Sequence, residues 1–117
     1  FINKSGLTTA ALLPAVTPAQ ALVLSAAAGG RDPLFTAVMN YVVEQQKLVE
    51  PLYALEKKDV FKSDVAATSV EGQDFIKARL LTGGQMLGSL WVTAWKKAGP
   101  DTYLKAQLLK RAAKANP

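Results

Sequence analysis

Between Ser69 and the Gly99-Pro100 pair runs a stretch that contains no proline and repeats apolar residues at helical intervals. Phe75, Ile76, Leu80, Gly83, Leu87, Leu90, Trp91, Ala94, Trp95 and Ala98 build a broad face that the pattern predicts to point inward. Ser69 supplies a capping hydroxyl, and Glu71 and Asp74 place negative charge near the positive end of the helix dipole. Gly99-Pro100 is a strong stop. One long helix of this kind commits a chain of 117 residues to a helical architecture.

The flanking segments read the same way. Residues 1–16 are apolar and Thr-rich, with Gly6 and Pro14 as breakers, and predict an extended lead-in with a short helical turn. Residues 17–117 are predicted to be helical. Thr17-Pro18 offers a cap and a proline at the first helical position, which predicts a helix from Pro18 to about Ala28 that stops at Gly29-Gly30. Asp32-Pro33 repeats the signal. Leu34, Val38, Tyr41, Val42, Leu48, Val49, Leu52 and Leu55 then recur mostly at three- and four-residue intervals. Pro51 interrupts them, so the segment from 33 to about 58 is either one kinked helix or two helices broken near Val49. Residues 59–68 have a loop's composition, and Asp101 opens a last helix over about Thr102–Ala115.

No apolar–polar alternation marks a strand. The expected fold is therefore all-α, with about four to five helices in an irregular bundle, either a single domain or the C-terminal half of a larger all-α domain. Half of the residues are hydrophobic and a fifth are charged, a globular balance. No run approaches the length of about 18 apolar residues that a membrane-spanning helix needs. Residues 1–28, with Lys4, an apolar stretch and Ala26-Ala27-Ala28, have some features of a leader peptide, but Pro14, Thr17, Pro18 and Gln20 break the run.

The chain has neither His nor Cys. That removes thiol nucleophiles, imidazole bases and the usual zinc ligands. The carboxylates Glu44, Glu50 and Glu56 lack the His of a bundle metal site, and Asp59 and Asp64 lack the glycine and closing Glu of a calcium loop. No catalytic, cofactor-binding or metal-binding residue is assigned.

What remains is packing and charge. Gly83, Gly84 and Gly88 lie inside the long helix, without the strand and the Lys-Ser or Lys-Thr pair of a phosphate loop, and predict a close helix–helix crossing. Trp91 and Trp95 are four apart and share a face. With Lys96 and Lys97 they could grip a base, a sugar or a lipid interface, but such a face predicts core. The net charge is +5, and the segment from Lys96 onward holds six basic residues against Asp101 alone, which leaves residues 1–95 neutral. Lys105, Lys110, Arg111 and Lys114 in the last helix form a candidate interaction surface for an acidic partner, a membrane surface or nucleic acid. A solvated terminal helix accounts for the same residues.

The stretch EGQDFIKARLLTGGQMLGSLWVTAWKKAG (residues 71–99), with LVEPLYALEKKDVF (residues 48–61) before it, resembles the C-terminal helices of the zinc-dependent phospholipase C and S1/P1 nuclease superfamily. The resemblance rests on packing motifs over residues 48–99, and the basic segment after Pro100 has no counterpart in it. It implies an all-α fold and a secreted or periplasmic protein. It also implies a parent that hydrolyses phosphodiester bonds with three zinc ions, held by an N-terminal Trp, His and Asp. None of those ligands maps onto this chain, which would be the non-catalytic portion behind the pocket. Its partner would be the N-terminal part of the same protein or another helical chain. The alternative is a stand-alone helical interaction module that works through its basic C-terminal helix.

Overall fold

The computed structural model describes residues 1–24 and 28–116. Among these the fold is all-α, as expected, and contains no strand. The lead-in is more wound than predicted. It forms a 3-10 turn at Ile2–Lys4, the four-residue α1 (Thr9–Leu12) capped by Thr8, and a second 3-10 turn at Leu13–Ala15.

The predicted helix from Pro18 does not form in residues 18–24, and residues 25–27 of that prediction lie outside the described residues. The hydrogen bonds give the reason. The Thr17 hydroxyl donates to Gln85 Oε1 at 3.2 Å instead of capping a helix. The Leu22 N–H, which a helix would send to the carbonyl of residue 18, donates to Thr93 Oγ1 at 2.9 Å. Tertiary bonds have replaced local ones. Gly29 and Gly30 take left-handed backbone angles, φ 80° and 70°, in the turn before the next helix.

Helix α2 (Pro33–Gln46) begins where Asp32 accepts from the N–H groups of Leu34 and Phe35. It ends at Lys47, and α3 (Val49–Glu56) starts two residues on. Of the two expectations for Pro51, the break is the one realised. Pro51 is the third residue of α3, where a missing N–H costs nothing, and its ring excludes the helical bond to the Lys47 carbonyl. Turns over 57–69 lead to α4 (Val70–Ala98), with the Gly72 N–H held by Ser69 Oγ. Gly99, at φ 68°, turns the chain into α5 (Thr102–Ala115), capped by Asp101 at Leu104 N.

These helices make an irregular, open arrangement. The radius of gyration is 21.2 Å, against about 13 Å for a compact chain of this length. The molecule measures 69 × 45 × 17 Å, a thin slab. It exposes 9134 Å², roughly 3,000 Å² more than a compact monomer of its mass. Among the described residues, Ala66 is the one fully buried apolar residue.

The best-packed region is an aromatic edge. Phe1 and Phe61 meet edge-to-face at 5.5 Å between centroids, and Phe61 meets Phe75 of α4 at 6.0 Å. Gly72 sits beneath them, so close to the Val60 carbonyl and the Phe1 ring that a Cβ there would overlap both. Gln73 Nε2 donates to the Ala66 carbonyl at 2.7 Å and ties the preceding turns to the start of α4.

Candidate functional site

Helix α4 meets the prediction in part: Phe75, Ile76, Gly83 and Leu90 are half-buried as expected, but Leu80, Leu87, Trp91, Ala94, Trp95 and Ala98 face solvent, and small polar residues take part of the inner side. Ser89 and Thr93 are buried, and Thr82 lies half-buried on the same side. Their hydroxyls are satisfied within the structure: Thr82 donates to the Ala78 carbonyl at 2.7 Å, and Thr93 to the Ser89 carbonyl at 2.6 Å. Small residues here let residues 17–24 lie against the helix.

On the opposite face, Leu80, Gly84, Leu87, Trp91, Ala94 and Ala98 follow one another at alternating intervals of four and three. All are exposed, and Trp95 stands beside them. Trp91 and Trp95 are 69% and 83% exposed, which overturns their expected place in a core. The stripe is about 27 Å long at 1.5 Å per residue. Its 4-3 spacing is that of a seam which packs against another helix, with gaps at Gly84, Ala94 and Ala98 between the large knobs.

The three glycines have different surroundings. A Cβ on Gly88 would come within 2.7 Å of the Ala19 Cβ, so the close crossing there is with an extended segment and not with a helix. Gly83 has only the Tyr41 hydroxyl near it, at 3.8 Å, and Gly84 is open to solvent. Neither lies at a close crossing among the described residues.

Two contacts escaped the sequence reading. Arg79 spans α2 and α4: its Nη1 donates to Gln45 Oε1 at 2.6 Å, and its guanidinium lies 5.9 Å from the Phe75 ring centre. Its Nε is buried without a partner among the described residues. Thr93, the acceptor for Leu22, is the other. A helical projection of α4 that placed Arg79 and Thr93 on one side would have hinted that this side is not solvent.

Between α4 and residues 9–22 lies an open trough of about 960 Å³, walled by Leu12, Leu13, Val16, Leu81 and Met86 with Gln85 at its edge. Among the described residues no carboxylate, Lys or Arg lines it, so its hydroxyls, those of Thr9, Thr17, Tyr41, Thr82 and Ser89, have no charged base beside them to activate one as a nucleophile. The zinc cluster implied by the resemblance finds no ligands here. The chain has no His or Cys, and among the described residues no three carboxylates converge. No catalytic step is assigned to these residues.

Lys105, Lys110, Arg111 and Lys114 are exposed on α5, and none makes an ion pair among the described residues. Leu104, Leu108 and Leu109 on that helix are exposed too. Compared with protein families, curated proteins and solved structures, the chain matches none.

Proposed function

We propose that this chain is the non-catalytic C-terminal helical portion of a zinc phosphodiesterase-like protein, of the nuclease or phospholipase C kind. In this role it scaffolds, from behind, a metal site carried by another portion. The observation that carries the reading is the outward apolar seam of α4. It belongs to residues 71–99, the stretch that bears the resemblance, and it has the spacing of a surface meant for another helix. An apolar strip ending in two exposed tryptophans is costly to leave in water, since each large side chain is worth about 1.5–3 kcal/mol when buried. The excess exposed area is of the size that obligate interfaces cover. On this reading the protein is secreted or periplasmic.

The test is the intact mass of the native protein from its source, with sequencing of its N-terminus and a zinc titration of the 117-residue chain. The reading expects a heavier parent whose additional sequence carries His and Asp and which cleaves phosphodiesters in a zinc-dependent way. It expects no stoichiometric zinc on these 117 residues. A native mass of 12.5 kDa, or tight zinc held by this chain alone, would sink it.

A further inference from the structure

Helix α5 combines two properties that the scaffold reading does not use. Over Thr102–Ala115 it holds four cations and no acid. Lys96 and Lys97 in the last turn of α4 add two more, and Asp101 is the single opposing charge. Around the helix, Leu104, Leu108, Ala112 and Ala115 share one arc, Lys105 and Arg111 border that arc on its two edges, and Lys110 and Lys114 lie beyond Arg111 with Tyr103 and Gln107. The leucines are each more than half exposed, and no other described element covers them.

We infer that α5 is a docking element for an anionic lipid surface. Charge complementarity selects the partner. A leucine stripe bordered by cations suits the plane of a bilayer interface, where the leucines enter the acyl boundary and the cations at its edges reach up to phosphate headgroups. A nucleic acid would engage the cations and leave Leu104, Leu108 and Leu109 in water. Trp95, in the last turn of α4, and Tyr103, in the first turn of α5, flank the linker, and both are residue types that settle at the headgroup level. The helix is about 21 Å long, enough to lie on a membrane. No described helix is long and apolar enough to cross one. This inference does not depend on the phosphodiesterase-like reading, because α5 lies beyond the residues that carry the resemblance.

The experiment is co-sedimentation of the 117-residue chain with phosphatidylcholine vesicles containing 30% phosphatidylglycerol, and with pure phosphatidylcholine as the neutral arm. Binding to the anionic vesicles alone is expected, weakened by high salt. The blue shift of tryptophan emission is followed in parallel, since Trp91 and Trp95 are the only tryptophans. Replacing Lys105, Lys110, Arg111 and Lys114 together by Gln should weaken binding at least about a hundredfold, at roughly fivefold per charge. Leu104→Gln with Leu108→Gln preserves charge and helix propensity and should also release the chain. Circular dichroism of both variants guards against loss of the helix. No binding to anionic vesicles overturns the inference. So does binding that the leucine variant leaves unchanged, or preferential capture by an RNA oligonucleotide with the same indifference to the leucines.

Discussion

Gly72 and Gly84 stand on one helix and should answer the same substitution with opposite signs. An alanine at 84 meets nothing within 4 Å and gains up to about 1 kcal/mol of helix propensity. Amides in the middle of α4 should then exchange a few-fold more slowly. At 72 the new Cβ would stand 2.7 Å from the Val60 carbonyl, which is backbone and cannot swing aside. Gly72→Ala should cost about 1–3 kcal/mol, seen as faster exchange in the first turn of α4. Thr93→Val keeps the shape but removes the acceptor of the Leu22 N–H. The expected penalty is about 1–3 kcal/mol, read as roughly five- to 150-fold faster exchange of the Leu22 amide. Thr93→Ser should retain the protection.

At the scale of elements, the break between α2 and α3 rests on Pro51. In Pro51→Ala a new N–H faces the Lys47 carbonyl, so the two helices should join into one from Pro33 to Glu56. Carbon chemical shifts of Lys47 and Leu48, together with protection of the new amide, would report the change. The start of α2, both ends of α4 and the start of α5 were legible because Asp32-Pro33, Ser69, Gly99-Pro100 and Asp101 act within a few residues of themselves, whereas Pro51 marked an interruption without deciding between a kink and a break. The segment after Thr17 carries an equally good local signal and is still not helical, because Gln85 and Thr93 are 68 and 71 residues away from the groups they bind. The spacing of Leu80, Leu87 and Trp91 was visible as a face, but not the direction in which that face points. Periodicity identifies a stripe and leaves its partner unnamed, and here the described chain turns its serine and threonine side inward. The basic residues of α5 were legible as charge, and their lack of ion pairs among the described residues was not.

For the whole molecule, small-angle scattering of the monomeric chain should return a radius of gyration near 21.2 Å, far from the value of about 13 Å for a compact domain. A much smaller value would mean that α5 or the lead-in folds back over the seam. The thinness of the slab also bears on how the chain melts. Sharp unfolding transitions come from a shared interior that is lost all at once, and here little apolar surface is hidden to begin with. Heating the isolated chain should therefore give a gradual loss of ellipticity, with each helix fraying in its own temperature range. The heat-capacity step should fall well below the roughly 12–15 cal/mol/K per residue of ordinary domains. Cooperativity, for this polypeptide, is something that a covering partner would confer.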